Sequence, residues 1–316
     1  MEFKHRGHWA PLILAGCLVG GRAAALDLGP LDGIAPPAGV TGVSIELAER
    51  TVEGALELQG TALPTRIERQ SVNLRFGHGF EIGGMPAYGY GELPMVDFSV
   101  DSTATDLVDV EAGSGVGDLA LALAVWPYAD PEAGRFLGVA GYLIAPTGEY
   151  DADKTVGVNL NPGNNRFAGI IQAGFQQRLT DQLEWNIAAD VMVFEDNDEF
   201  IGDRVEMTMT GAGPALVPQS PATLEVEPYI SYQTSLAWRL HPAVTLATSY
   251  YIDRGAEFRI DGDDWSDSVN RERYGLWGLF TLGPGTRLNV SYKGPVNDRS
   301  DLELQESVQI RLVQFF

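Results

Sequence analysis

Apolar and polar residues alternate with a period of two along most of the chain, which is the repeat of a β-strand with two different faces. Residues 223–240 show this alternation most clearly, and residues 67–76, 182–194 and 286–294 repeat it. One further strand is expected somewhere in residues 40–62, ahead of the first clear one. We predict the remaining strands at residues 80–90, 116–127, 135–146, 166–178, 243–258, 271–282 and 303–315.

Short and long connections alternate between these predicted strands. A soluble β-sandwich does not require such a rhythm. A transmembrane β-barrel does, because its periplasmic turns are short and its extracellular loops are long. The predicted strands are also long enough for the roughly 9–11 residues that cross a bilayer at a tilt. The short turns fall at 77–79, 128–134, 180–181, 241–242 and 283–285, and the long segments at 91–115, 147–165, 196–222, 259–270 and 295–302.

The fold class predicted from this rhythm is all-β: an antiparallel transmembrane β-barrel of about twelve strands, within a range of about ten to fourteen. The last nine residues alternate and end in Phe316. An amphipathic final strand closed by an aromatic residue is typical of outer-membrane barrels, so we predict that Phe316 is an assembly signal for the barrel-assembly machinery. An exported β-sandwich is the alternative fold.

Composition narrows the classes of protein further. Apolar residues make up 45% of the chain and charged residues 20%, which excludes a disordered chain. The formal net charge of −22 argues against a nucleic-acid partner, since phosphate binding needs a basic surface. The single cysteine excludes a disulfide framework. No apolar run reaches the roughly 18 residues of a membrane-spanning helix.

The first residues have the pattern of an export signal. A basic start precedes a short apolar run and the small-residue triplet Ala23-Ala24-Ala25, so we predict a signal peptide over residues 1–25. Lipidation of Cys17 is a competing reading. We expect residues 26–39, rich in Pro and Gly, to form a periplasmic segment or a plug, and residues 40–316 to form a barrel in the bacterial outer membrane. Its partners would then include outer-membrane lipid and lipopolysaccharide.

Several short motifs resemble one family of outer-membrane proteins. Residues 115–119 read Gly-Val-Gly-Asp-Leu and residues 145–151 read Ala-Pro-Thr-Gly-Glu-Tyr-Asp. These are similar to the GxGD and PTGxYD segments of the MetA-pathway phenol-degradation family. Residues 75–82, the Pro-rich residues 34–39 and, more weakly, residues 159–161 add to the resemblance. It implies a barrel that passes aromatic or other hydrophobic small molecules, and it supplies no catalytic or binding residues.

The predicted strands place two sets of candidate functional residues on opposite faces. Charged residues on the inward face would line the lumen, where they either set selectivity or only pair with one another. Aromatic residues near strand ends would lie at the membrane interface, or in the core of a sandwich. The lumen candidates are Arg69, Arg75, Asp118, Glu184, Asp190, Arg287 and Lys293, and the interface candidates are Trp126, Trp185, Trp238, Tyr250, Tyr274 and Tyr292.

Other chemistry has weak support in the sequence. Residues 113–118 have the glycine spacing of a phosphate loop, but a strand rather than a helix follows them. His78 and His241 fall in predicted turns, so neither is placed to activate a nucleophile. Acidic clusters in residues 91–115, 195–203 and 261–267 could take Ca²⁺ or Mg²⁺, or bridge to lipopolysaccharide, or simply be solvated. We therefore expect no cofactor, no metal site and no enzymatic activity.

The function expected from the sequence is passive passage of small hydrophobic or aromatic molecules through a narrow lumen. The size of the lumen follows from a strand number between those of filled and open barrels. The cargo follows from the family resemblance alone. The alternatives are a barrel that transports nothing and serves as a structural or surface protein, and, with less support, a barrel hydrolase.

Overall fold

β-Strands make up nearly all of the regular structure. The computed structural model of the protein describes residues 27–58, 61–102, 112–210, 213–299 and 302–316. A short 3-10 helix spans Ala152–Thr155. In chain order the strands are β1 (Thr41–Leu58), β2 (Thr61–Ile82), β3 (Met85–Ser102), β4 (Ser114–Val116), β5 (Leu119–Asp130), β6 (Arg135–Ala145), β7 (Ala168–Arg178), β8 (Leu183–Phe194), β9 (Asn197–Phe200), β10 (Val205–Thr210), β11 (Gly213–Pro218), β12 (Ala222–Val226), β13 (Tyr229–His241), β14 (Val244–Gly255), β15 (Phe258–Ile260), β16 (Val269–Gly283), β17 (Thr286–Asp298) and β18 (Leu302–Phe315).

Twelve of these strands form one closed antiparallel barrel, which confirms the predicted fold class and strand number. Neighbours in the ring are β1, β2, β3, β5, β6, β7, β8, β13, β14, β16, β17 and β18, and β18 pairs with β1 to close it. Backbone hydrogen bonds join the two ends of the barrel chain. The Thr41 N–H donates to the Phe316 carbonyl at 3.2 Å, and the Phe316 N–H donates to the Thr41 carbonyl at 2.9 Å. Closure leaves no unpaired sheet edge in the ring.

The two rims of the barrel are built differently. One rim, which we call the turn end, carries the brief connections and also Thr41 and Phe316. The other rim, which we call the loop end, carries the long ones. The connections at the turn end are 83–84, 131–134, 179–182, 242–243 and 284–285, and the longest at the loop end are 103–118, 146–167, 195–228 and 256–268.

The first turn does not lie where the sequence predicts it. The chain reverses at Gly83-Gly84, whose φ angles of 58° and 80° suit a tight hairpin turn. The predicted turn at 77–79 lies inside β2 instead. A Cβ atom at Gly77 would come within 2.4 Å of the Tyr88 hydroxyl. Glycine is therefore needed at this position for the close approach of a side chain rather than for a reversal.

The faces of the barrel strands are inverted relative to a soluble protein. Large apolar side chains point outward and are exposed, as at Leu47 (51%) and Ile171 (70%). Many polar and charged side chains point inward and are buried, among them Arg271, Arg273 and Asp253. A lipid bilayer around the barrel would give the outer apolar side chains an apolar environment, whereas water would not.

Further short strands lie at the loop end. β12 pairs with β9 and β15 in a small sheet, and β10 pairs with β11 in a hairpin. No helix among the residues with assigned structure is long and apolar enough to cross a membrane.

Candidate functional site

The N-terminal residues of the described chain lie inside the barrel. We call residues 27–40 the lumenal segment. Its C-terminal end lies at the turn end, where the Gly39 N–H donates to the Gly79 carbonyl at 2.8 Å. Further along, the Trp126 indole donates to the Gly33 carbonyl at 2.9 Å, and the Asn186 amide donates to the Pro30 carbonyl at 2.9 Å. The segment thus contacts walls that lie far apart around the ring.

An ion-pair cluster holds the tip of the lumenal segment. The Arg273 guanidinium donates to both carboxylate oxygens of Asp27, at 2.9 and 3.0 Å. The Lys293 ammonium donates to one of them at 2.7 Å. Asp253 accepts from Arg273 at 2.8 Å on its other side. Each side chain in this cluster is less than 10% exposed, so the charges are removed from water and depend on one another for neutralisation.

A second ion pair anchors the segment nearer the turn end. The Arg311 guanidinium donates to Asp32 at 3.3 Å. Close by, a Cβ atom at Gly33 would lie 3.0 Å from the Gln176 amide oxygen. A side chain here would have to push Gln176 aside, so glycine lets the segment pass close to the wall.

The inner wall of the barrel has a basic side and an amide-rich side. The basic side runs over β16, β17, β18, β1 and β2, where the register places Lys293, Ser307, Arg50 and Arg69 in one row. The opposite side, on β7, β8 and β13, is rich in side-chain amides and hydroxyls. Its buried members are Gln172, Gln176, Glu184, Asn186, Asp190, Ser231, Gln233 and Ser235.

Most of the predicted lumen residues face inward, and most are paired. Arg75 donates to the buried Glu92 at 2.6 Å. Glu184 accepts from Arg239 and from a neighbouring amide, both at 2.8 Å. Asp190 accepts from the Gln172 amide at 3.3 Å. Of the others, Arg69 and Lys293 lie on the basic side, whereas Arg287 is exposed at the turn end, 5.3 Å from the centroid of the Phe315 ring.

Asp118, another predicted lumen residue, lies outside the barrel strands and joins two loops. Its carboxylate accepts from the Gly148 N–H at 3.0 Å and from the Asn164 N–H at 2.8 Å. Burial raises the pKa of the Asp118 carboxyl, although these hydrogen bonds oppose the shift. The residue therefore has a different place from the one predicted, because the chain turns out of the sheet at residues 117–118 before β5 begins.

Three of the motifs behind the family resemblance, at residues 115–119, 145–151 and 159–161, meet at this point. We call residues 147–165 the inner loop, since residues 155–163 are all buried. A Cβ atom at Gly148 would lie 2.7 Å from the Gly117 carbonyl carbon and 2.8 Å from the Gly163 Cα. The Asn161 amide closes the loop through hydrogen bonds of 2.8 and 2.9 Å with the Asp151 backbone. Glycines in these motifs permit close contact between backbone segments. Their asparagines and aspartates join these loop segments by hydrogen bonds.

Apolar side chains fill the barrel interior toward the loop end. One cluster combines inward residues of the wall, such as Ile170 and Met192, with residues of the loop-end sheet, such as Phe200 and Leu224. A second cluster packs Val158 and Leu160 of the inner loop against the wall. The second cluster's wall residues are Val52, Ile67, Val96, Phe98, Leu302 and Leu304. The interior is thus apolar near the loops and polar around the tip of the lumenal segment.

The predicted interface aromatics divide between the two faces. Trp126 is only 6% exposed and donates to the lumenal segment, so its prediction as an interface residue is not supported; it lies on the same inward face of β5 as Ala120, which is 3% exposed. Trp238 is 54% exposed on the outer face. The Trp185 indole donates to Thr234 at 2.9 Å. The other outward aromatics are Tyr250, which donates to Glu272, and Tyr274 and Tyr292, whose ring centroids are 6.1 Å apart.

The outer wall also has a hollow of about 600 Å³. It forms where Gly141 and Gly169 lie between large apolar residues of β5–β8. Nothing lies within 4 Å of a Cβ atom built at Gly141. The hollow faces outward with the apolar belt, so it is separate from the lumen.

The sequence candidates for catalysis and metal binding were two histidines and three acidic clusters. His78 shares a hydrogen bond of 2.9 Å with the Thr41 hydroxyl, and the His241 Nδ1 accepts from the Ala243 N–H at 3.2 Å, both at the turn end. Within the part of the chain that the structure describes, no group of three or more His, Cys, Asp or Glu residues could hold a metal ion. Asp106, Asp109 and Glu111 of one predicted acidic cluster lie outside that part.

Of the residues that hold the segment tip, only Lys293 was predicted from the sequence. Asp27, Asp253 and Arg273 were not among the candidates. Arg271 and Arg273 do alternate at the start of a predicted strand, at residues 271–282, so their inward position had a signal in the sequence. Asp27, the partner of Arg273, had no such signal, because it lies 246 positions away from Arg273 in the chain.

Comparison with solved structures supports the fold. An outer-membrane channel from Pseudomonas putida F1 has a TM-score of 0.76 and 23% identity, covering 92% of this chain and 100% of the other. The β-domain of the Bordetella autotransporter BrkA has a TM-score of 0.51 and 14% identity, covering 88% of this chain and 100% of the other. At these identities the likeness concerns the fold alone.

Comparison by sequence identifies the family. No curated protein matches the chain. A family model does match it, over residues 55–303, which is well over half of its length. The chain therefore belongs to the family described as "Putative MetA-pathway of phenol degradation", as the motifs at residues 115–119 and 145–151 indicated.

Proposed function

We propose that the protein is an outer-membrane channel for small hydrophobic or aromatic molecules, which pass by diffusion through a narrow lumen. The observation that carries this proposal is the layering of the barrel interior. Apolar residues of the wall and loops fill the loop end, and polar residues surround the lumenal segment below them. An apolar layer favours hydrophobic solutes over sugars or ions, because a polar solute would lose hydration there without gaining hydrogen bonds.

The orientation of the barrel follows from export. Residues 1–25 would act as a signal peptide cleaved after Ala25, so that Asp27 becomes the second residue of the mature chain. The turn end would then face the periplasm, and the loop end would face the cell exterior and lipopolysaccharide. Sequencing of the mature N-terminus should begin at Leu26, whereas a lipidated Cys17 at the N-terminus would contradict cleavage at this site.

The family and the fold also support this function. The family's description names phenol degradation, and the similar structure from Pseudomonas putida F1 is an outer-membrane channel. The side chains in the lumen form ion pairs and hydrogen bonds rather than a nucleophile beside a base. We therefore favour transport over catalysis.

A structural barrel that transports nothing is the second candidate. The position of the lumenal segment favours it, because the segment contacts several walls and occupies part of the lumen. For solutes to pass through such a channel, either the lumenal segment must move or a path beside it must stay open.

Uptake by cells separates the two candidates. A strain lacking the protein should take up radiolabelled toluene or phenol more slowly than the same strain carrying the gene, because lipopolysaccharide slows the entry of hydrophobic solutes. Uptake of arabinose is the control and should not change. SDS electrophoresis of the outer-membrane fraction with and without boiling establishes that the barrel is folded, because a closed barrel shifts its band on boiling. Equal uptake of the aromatic solutes in both strains would favour the structural barrel.

A further inference from the structure

The tip of the lumenal segment resembles a small amphiphile bound to the wall. We call the side chains of Arg273 and Lys293 the cation pair. Together they donate three hydrogen bonds to the Asp27 carboxylate. The side chain of the next residue, Leu28, packs against the wall beside the small residues Gly174 and Ala188. Its Cδ1 atom lies 3.5 Å from a Cβ atom built at Gly174, as does the Cβ of Ala188. Asp27 and Leu28 together present one carboxylate and one apolar body.

The cation pair is built independently of Asp27. Asp253 accepts from the Arg273 Nε at 2.8 Å and from its Nη2 at 3.2 Å, which orients the guanidinium. The Arg273 guanidinium carbon lies 4.7 Å from the centroid of the Tyr251 ring. The Lys293 ammonium lies 5.3 Å from the centroid of the Trp277 ring. These contacts would hold both cations in place if the segment moved away.

The charges in this cluster favour replacement of Asp27 by another anion. Asp253 balances one of the two cations and Asp27 balances the other. A buried cation that loses its partner is strongly disfavoured, so the site should accept a new carboxylate when Asp27 leaves. Arg50 and Arg69 lie in the same row of the wall as Lys293 and add positive charge to this side of the lumen.

Three buried polar groups lie together at the same place. The Tyr251 hydroxyl, the Ser249 hydroxyl and the Trp277 Nε1 are buried, and Tyr251 interacts with the other two. All three side chains lie around Gly275: a Cβ atom built there would lie 3.1 Å from the Trp277 Nε1, 3.3 Å from Tyr251 and 3.5 Å from Ser249. Hydrogen-bonding capacity is thus available beside the cation pair and the aromatic rings.

We propose that the cation pair is a binding site for small carboxylates with an aromatic or apolar body, and that Asp27 occupies it when no ligand is present. This inference rests on the proposed channel function and names a class of solute for it. A carboxylate of this class would take the place of the Asp27 carboxylate on Arg273 and Lys293. Its body would lie where the Leu28 side chain now packs.

Binding of 3-phenylpropionate to the full-length barrel in detergent tests the proposal by calorimetry. The neutral control ligand is 3-phenylpropionamide, which has the same ring and chain length. Asp27→Asn removes the internal competitor, so the affinity for the carboxylate should rise about ten-fold or more while the affinity for the amide stays the same. Adding Lys293→Met should reverse the gain, and adding Lys293→Arg should keep most of it.

Asp32→Asn is the matched control variant. It removes the other ion pair of the lumenal segment, with Arg311, and leaves the cation pair occupied by Asp27. If Asp32→Asn raises carboxylate affinity as much as Asp27→Asn does, loosening of the segment explains the effect and the proposal is wrong. An unchanged preference for carboxylate over amide in Asp27→Asn would also overturn it. A heat-modifiable band on SDS gels establishes that each variant is folded.

The outcome for this site is separable from that for the channel. Uptake of neutral toluene tests the channel without involving the cation pair. If toluene uptake depends on the protein but carboxylate binding does not depend on Asp27, this proposal fails and the channel function stands. If toluene uptake does not depend on the protein, the channel function fails, whatever the carboxylate affinity.

Discussion

Two tryptophans show how the face of a strand decides what a residue does. Trp238 points outward and is more than half exposed, so its ring would lie among lipid chains. Trp126 points inward and its indole donates to the Gly33 carbonyl. Both were expected at the membrane interface from their positions near strand ends. The difference follows from the alternation within β5, because Trp126 shares the inward face with Ala120 while Leu121 and Leu123 point outward; nearness to a strand end does not indicate which face a residue is on.

Quenching by brominated lipid distinguishes these two positions. We expect bilayers with brominated acyl chains to quench a variant that retains only Trp238, because its ring is outside the barrel wall. A variant that retains only Trp126 should be little affected, because the wall separates its ring from lipid. Steady-state fluorescence in matched brominated and plain bilayers measures the effect. Equal quenching of both variants would contradict the inward position of Trp126.

The ion pairs of the lumen show where residue-scale prediction from the sequence ends. Inward charges such as Glu184 and Asp190 could be found, because alternation places them opposite apolar neighbours. Their partners depend on the register between neighbouring strands, as for Arg239 beside Glu184, and the partner of Arg273 depends on the path of the lumenal segment. Arg273 meets Asp27 across 246 positions of sequence, and only the three-dimensional fold brings the two together.

At the scale of elements, strands were predictable and the connections were less so. The predicted strands at residues 182–194 and 303–315 lie within a residue of the observed β8 and β18. By contrast, glycines mark both a turn at 83–84 and close packing at Gly77, and the sequence alone does not separate these uses. The inner loop was predicted only as a long polar segment, yet much of it is buried.

The Asp118 carboxylate should control opening of the inner loop. Asp118→Ala leaves the partly buried N–H groups of Gly148 and Asn164 without their acceptor, which costs roughly 1 kcal/mol. We expect faster hydrogen exchange across the inner loop while the barrel strands keep their protection. Asp153→Ala, at an exposed position of the same loop, is the control and should change little. Equal effects of the two substitutions would show that Asp118 does not join the loops.

The raised pKa of Asp118 gives the same element a pH dependence. A carboxyl whose pKa is higher in the closed loop than in the open one favours closure most below its ordinary pKa of 3.8. This contribution is lost as the pH rises through the raised value. Protection factors of the inner loop should therefore decrease with rising pH in the acidic range, and Asp118→Asn should remove this part of the dependence.

At the scale of the whole molecule, one closed ring holds together parts with different environments. The outer wall requires lipid, the polar lumen requires paired charges, and the loop end has an apolar core of its own. The number of strands could be predicted because alternation and turn rhythm recur around the ring. The filling of the lumen could not be derived in detail, because it depends on which wall each part of the lumenal segment meets.

The last residue of the chain separates assembly of the barrel from its stability. The Phe316 backbone closes the ring with Thr41, but its side chain is 75% exposed. Phe316→Ala keeps both backbone hydrogen bonds, so the temperature at which the purified barrel opens in SDS should change little. If the ring is the assembly signal that the sequence predicts, the amount of folded protein in the outer membrane should fall several-fold. Phe315→Ala is the matched control, because its inward ring contacts Arg287 rather than the surroundings. If purified Phe316→Ala instead opens at a clearly lower temperature in SDS, the ring stabilises the folded barrel, and this loss of stability explains the smaller amount of folded protein in cells.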